Sequence, residues 1–127
     1  MGDEQREILP ILEELLQEED ILAVMLCRKG FDGIKPDPGK FKLSDAQVWT
    51  ALEGAMDDVF SIISKFTQAG LDKIYFELGQ YEVMFFILPE DDVALVAVIP
   101  ALANKGLLEV EMENARREIV KKNLENR

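Results

Sequence analysis

Histidine does not occur in this chain, and cysteine occurs once. The first absence removes the commonest general base, the commonest zinc ligand and every Ser/His or Cys/His pair. The lone Cys27 leaves no intramolecular disulfide and makes a cytoplasmic setting the natural expectation. Basic residues are scarce as well: 14 Lys and Arg face 25 Asp and Glu, for a net charge of −11. Such a surface repels phosphate backbones and anionic bilayers, so neither nucleic-acid binding nor membrane insertion is expected. Apolar runs stop at about seven residues, against the roughly 20 that span a bilayer. The acidic opening MGDEQREILP lacks the basic start of a signal peptide. Neither G-x-G-x-x-G nor G-x-x-x-x-G-K-[ST] is present, which argues against a nucleotide hydrolase. Catalytic residues, metal ligands and cofactors are therefore all assigned as none.

What the chain does have is strand-like segments that are apolar at nearly every position. Ile21–Cys27 reads ILAVMLC, Val83–Leu88 reads VMFFIL and Val93–Ile99 reads VALVAVI. A strand points successive side chains to opposite faces, so a half-solvated one alternates in polarity. These do not alternate, and both faces of their sheet must be covered, most simply by helices. Two further strands are expected at Phe31–Lys35, before Pro36 and Pro38, and at Leu71–Leu78. The second of these alternates, with Ile74, Phe76 and Leu78 on one side and Lys73, Tyr75 and Glu77 on the other. That is the pattern of an edge strand. Gly79-Gln80 suits a two-residue hairpin turn, and Lys29-Gly30 and Leu88–Asp91 are further turns.

Helices are expected over 7–18, 44–68 and 105–124. Pro10 is placed in the first turn of the first helix, where its missing N–H costs nothing. Ser44 opens the second with Gln47 three residues on, the spacing of a capping box, and Gly70 stops it. In the third, carboxylates come early and Arg116, Arg117, Lys121 and Lys122 late, as the helix dipole favours. The order α-β-β-α-β-β-β-α makes one α/β (α+β) domain over 1–127. Its architecture is a three-layer α-β-α sandwich around a five-stranded, mainly antiparallel sheet.

The second helix is apolar too far round. Val48, Leu52, Ala55, Val59, Ile62 and Phe66 form one stripe, which is assigned to the sheet. Trp49, Met56, Phe60 and Ile63 form a second, widening the apolar arc to roughly 160°, beyond the ~100° that one covering face needs. This second stripe is assigned to a partner chain, together with Ile74, Tyr75 and Phe76 of the edge strand. Pairing that edge with its own copy across a two-fold axis would satisfy both features with one contact. Lys29, Lys35, Lys40 and Lys42 gather in the hairpin region as either a docking patch or a solvated loop. Glu18-Glu19-Asp20, Asp57-Asp58 and Glu90-Asp91-Asp92 read as solvated surface, since none has the spacing of a calcium loop.

The element order, the continuous second-half strands and the run Asn104-Lys105-Gly106-Leu107-Leu108-Glu109-Val110-Glu111 followed by Ala115 resemble the roadblock / dynein-light-chain domain, a fold of profilin type. The Pro36–Lys40 insertion departs from that pattern. The resemblance implies a homodimer built through the second helix and third strand. It also implies a non-catalytic role as regulator of a Ras-like small GTPase, or as a scaffold in a larger complex. Glu53 and Asp57, beside the paired helices, are the positions expected to face the GTPase. A different class of function is a small-molecule sensor holding a ligand between sheet and helix, although Met25, Met84, Phe85 and Phe86 would fill that space.

Overall fold

Five strands pair in the order β2-β1-β5-β4-β3, every neighbouring pair antiparallel, in a computed structural model that describes residues 2–29, 31–88 and 93–125. The strands are β1 (Ala23–Arg28), β2 (Phe31–Ile34), β3 (Lys73–Leu78), β4 (Tyr81–Ile87) and β5 (Val93–Pro100). The helices are α1 (Gly2–Leu16), α2 (Ala46–Gly54), α3 (Met56–Phe66) and α4 (Lys105–Glu125). The expected turn at Lys29-Gly30 and that after Leu88 fall in part outside the described residues, and the cluster Glu90-Asp91-Asp92 lies wholly outside them.

The three apolar segments become the centre of the sheet. Along β5, Leu95, Ala97 and Ile99 point to one core, while Ala94, Val96 and Val98 point to the other. The first core is covered by Ile8, Leu12 and Leu15 of α1 and by Leu108, Met112 and Ile119 of α4. The second is covered by Trp49 and Leu52 of α2 and by Met56, Phe60 and Ile63 of α3. The three-layer expectation holds, and the sheet is antiparallel throughout.

Local details differ from the sequence reading for identifiable reasons. Helix α1 begins earlier than residue 7, so Pro10 lies inside it rather than in its first turn. Its ring is exposed, so the hydrogen bond it forfeits is on the solvent side, while the apolar stripe holds the helix to the sheet. Asp45, not Ser44, caps α2: its carboxylate accepts the Gln47 N–H at 2.9 Å. Ser44 Oγ is instead 2.7 Å from the Tyr81 hydroxyl, tying the start of α2 to the start of β4. The long second helix is also two helices. Gly54, a poor helix former, precedes Ala55, whose N–H is shared between Ala51 O and Leu52 O before α3 begins.

The lysines of the Pro-rich segment do not form a free patch. Lys42 Nζ donates to Leu16 O at 2.8 Å and Glu18 O at 2.6 Å, placing a cation on the C-terminal carbonyls of α1. Lys40 pairs with Glu13 and Lys35 with Glu53. Between them Phe41 packs against both cores, with its ring edge-on to Trp49 at 4.9 Å. The segment is a strap across the end of the sheet.

Strand β2 stops at Ile34, and the register of its pairing shifts between Leu26 and Arg28, as at a β-bulge. Gly33 sits where a Cβ would lie 2.0 Å from Leu26 O, a backbone atom that cannot step aside. Gly33→Ala is therefore expected to cost at least about 2 kcal/mol in chemical denaturation. A variant as stable as the parent would show that this close approach does not exist.

Candidate interaction surface

Strand β3 has β4 on one side and, among the described residues, no strand on the other. Ile87 N–H donates to Asp72 O at 2.8 Å. Antiparallel pairs alternate, so Ile74, Phe76 and Leu78 exchange bonds with β4. The N–H and C=O groups of Lys73, Tyr75 and Glu77 then project from the edge. Side chains alternate as expected: Ile74, Phe76 and Leu78 are half-buried against the α2/α3 core, with Phe76 stacked on Phe85 at 5.7 Å. Tyr75, exposed, turns to the α4 side and stacks on Phe86 at 6.2 Å. Burial, then the carboxylate of Glu109, pushes its phenol up to about 12, so it stays protonated.

Charge, more than apolar area, joins α4 to this edge. Arg116 gives Nε and Nη2 to Glu113 and Nη1 to both Asp72 O and Ile87 O, each at 3.1 Å. The two carbonyls belong to residues flanking β3 and ending β4, so one guanidinium fastens helix to sheet. Its plane also lies over the Phe86 ring, 5.1 Å from the centroid, and Lys73 Nζ lies 5.0 Å from the same centroid. Lys105 pairs with the buried Glu82 at 2.7 Å at the other end of the helix.

On α2 and α3 Leu52 faces the sheet as expected, but the second stripe, expected to meet a partner, is buried as well. Trp49, Met56, Phe60 and Ile63 are buried inside the protomer, with Phe60 only 1% exposed. At neighbouring positions the bulkier side chain takes the sheet side, Trp49 over Val48 and Phe60 over Val59, because burying it removes more apolar area. The other rim turns outward: Ile62 and Phe66 are each 52% exposed, with Val48 and Val59 half-buried. A partner chain therefore finds almost no surface at Phe60 or Ile63 and little at Trp49 or Met56. It can meet Ile62 and Phe66.

These residues lie beside the open edge. Phe66 O accepts the Leu71 N–H at 3.2 Å, and Gly70, at φ +93°, turns the chain from α3 into β3. The opposite flank of the helices carries Glu53, paired with Lys35 at 2.9 Å, and Asp57 in the first turn of α3. Exposed Leu102, Leu107 and Val110 form a second apolar set that sequence reasoning missed, because a turn residue and one face of a polar helix carry no periodic signal.

The interior offers little chemistry. Cys27 is buried, and burial together with Glu53 pushes its thiol up to about 12, far from a thiolate at neutral pH. Among the described residues no cluster of carboxylate and thiol groups could hold a metal ion, and no helix is long and apolar enough to cross a membrane.

Solved structures share this arrangement. Myxococcus xanthus MglB superposes with a TM-score of 0.73 at 15% identity, over 95% of this chain and 90% of that one. The chain has the roadblock/LC7 fold. A Roadblock/LC7 domain from Streptomyces avermitilis matches with a TM-score of 0.64 at 15% identity, over 90% of this chain and 95% of that one. An MglB described in a tetrameric arrangement matches at 0.61 and 16% identity, over 95% and 93%. No family model and no curated protein matches the sequence, so the likeness lies in the roadblock architecture.

Two outcomes follow from this roadblock surface. Phe60→Ala should lower the free energy of unfolding by about 3–5 kcal/mol. Phe66→Ala should lower it by no more than about 1 kcal/mol in dilute protein. Equal losses would return the stripes to their sequence-based assignment. The second outcome concerns Glu113, whose carboxyl is held below the usual carboxylate range by its hydrogen bonds to Arg116. A depressed native pKa stabilises the fold above the unfolded value, about 4.3, and that stability is lost as pH falls through the native one. The stability gap between the parent and Glu113→Gln should thus be present at pH 7 and close over that acid window. A gap independent of pH would contradict the assignment.

Proposed function

We infer that this chain is a non-catalytic homodimeric adaptor of the cytoplasm that regulates or scaffolds a Ras-like small GTPase. One observation carries the dimer: exposed apolar side chains, Ile62 and Phe66, beside a sheet edge whose outward backbone groups have no strand to pair with among the described residues. Both features are liabilities for an isolated protomer. Pairing β3 with its own copy across a two-fold axis fuses two sheets and sets the two α3 helices side by side. The interface is then Ile62, Phe66, Ile74, Tyr75 and Phe76, with Trp49, Met56, Phe60 and Ile63 supporting it from beneath. The tetrameric arrangement of one MglB is consistent with self-association through this fold.

The GTPase half of the reading rests on the roadblock resemblance. With Cys27 buried and no histidine, the chain has no assembled nucleophile and base to donate. It would act by holding the GTPase switch segments in their competent arrangement. Glu53 and Asp57, on the flank away from Ile62 and Phe66, are the contacts proposed for that partner. A sensor ligand within the layers, between the sheet centre and its helices, loses support at the positions that would have to be empty. Met25 and Phe85 fill the α2/α3 side of the sheet, and Met84 and Phe86 the α1/α4 side.

Phe66→Asp should convert dimer to monomer in sedimentation with the fold retained, since the new charge would have to be desolvated in the interface. The purified parent should leave GTP intact and change turnover only when a cognate small GTPase is added, an effect Phe66→Asp should abolish. A parent that is strictly monomeric at micromolar concentration would end the dimer proposal. Hydrolysis of GTP by the purified chain alone would end the adaptor one.

A further inference from the structure

A cleft of about 420 Å³ opens where α4 passes the start of β3 and the end of β4. Its apolar lining is Leu71, Ile87, Leu88 and Val120, and its polar lining is Asp72, Glu113, Arg116 and Arg117. That volume falls within the roughly 300–1,000 Å³ typical of small-molecule sites, and an apolar floor with a few polar groups at the rim is their usual composition. It lies at the end of the sheet, on its α4 side, and does not depend on the dimer reading.

The lining itself balances, Arg116 and Arg117 against Asp72 and Glu113. Arg116 spans Glu113 and, at 3.6 Å, Asp72, and Lys73 lies 3.5 Å from Glu113. Among the described residues, Lys73 thus adds a third cation beside the lining against these two carboxylates. The donors of Arg116 are spent on Glu113 and two backbone carbonyls, which makes it a wall rather than an anchor. Arg117 is the surplus. Its side chain is 77% exposed, and its contact with Glu113, at 3.8 Å through Nε, is too long for a hydrogen bond. Lys121, also exposed, follows one turn later on the same helix face. Among the described residues Arg117 and Lys121 make a local positive rim on α4 beside an apolar floor.

The geometry points to a binding site for a small amphipathic monoanion: an apolar chain seated on Leu71, Ile87, Leu88 and Val120, with its carboxylate held by the Arg117 guanidinium. Arg117 supplies a planar, permanently charged fork suited to a carboxylate. The floor supplies the transfer free energy of the chain, and Asp72, on the far wall, keeps the anionic head at the Arg117 end. Because the strand residues of the lining flank the Arg116 tether, an occupied cleft would hold α4 more firmly on the β3 edge.

The probe is octanoate, with octanol and octylammonium as controls of equal chain length, followed by calorimetry and by methyl and amide NMR shifts. Octanoate should bind saturably and move resonances of Leu71, Leu88 and Val120. Octanol and octylammonium should bind at least about tenfold more weakly. Arg117→Glu, a surface change that leaves the fold intact by circular dichroism, should weaken octanoate by about tenfold or more, and Arg117→Lys should restore most of the loss. Equal binding of octanol, an unchanged affinity in Arg117→Glu, or shifts that appear at Ile62 instead of the cleft would each overturn the proposal.

Discussion

Strands β1, β5 and β4 lie side by side at the centre of the sheet, and nearly every side chain they carry is buried. A sheet built this way cannot leave either face to water. Each large apolar side chain it buries contributes roughly 1.5–3 kcal/mol, and the two faces together demand two covering layers. Helices α1 and α4 supply one, α2 and α3 the other. The strap from Pro36 to Leu43 then closes the end of the sheet, with Phe41 shared between the cores and Lys42 seated on the carbonyls that end α1.

The same constraint relaxes at the two edges, and they are managed differently. Strand β2 is short, bulged at Gly33 and stopped by Pro36, which discourages further pairing. Strand β3 is longer and regular over six residues. Its α4 side is held by Arg116, Lys73 and the Tyr75–Glu109 contact, which orient the strand without covering it. An edge kept straight and presented in this way, next to outward Ile62 and Phe66, is the one we propose as a pairing surface. The blunted β2 edge is not.

Much of this was legible in the residues. Three uniformly apolar segments, Ile21–Cys27, Val83–Leu88 and Val93–Ile99, specified the buried strands and hence the layers. The alternation of Lys73–Leu78 specified an edge, and Gly79 takes the positive φ (60°) that its hairpin turn requires. The orientation of the second helix was not legible. A wide apolar arc records how much of a helix is apolar, and which part faces the sheet depends on side-chain volume against the surface it meets. Trp49 and Phe60 won that place over Val48 and Val59. The break at Ala55 was hidden too, because Gly54 alone is a weak signal within a long apolar period. Asp45 and Ser44 are both good caps, and only the position of Tyr81 decides between them. The roles of Lys40 and Lys42, open between docking patch and solvated loop, were hidden because their partners, Glu13 and the α1 carbonyls, are distant in sequence.

Amide hydrogen exchange on the outward groups of β3 bears most directly on the self-pairing edge. The Tyr75 and Glu77 amides point away from β4 and, in a lone protomer, have no backbone partner among the described residues. If β3 pairs with its own copy, they exchange slowly at concentrations where the protein is dimeric and lose that protection on dilution, while β5 amides stay protected throughout. Fast exchange at Tyr75 and Glu77 at every concentration, with β5 still protected, would contradict the pairing of β3 with a second chain.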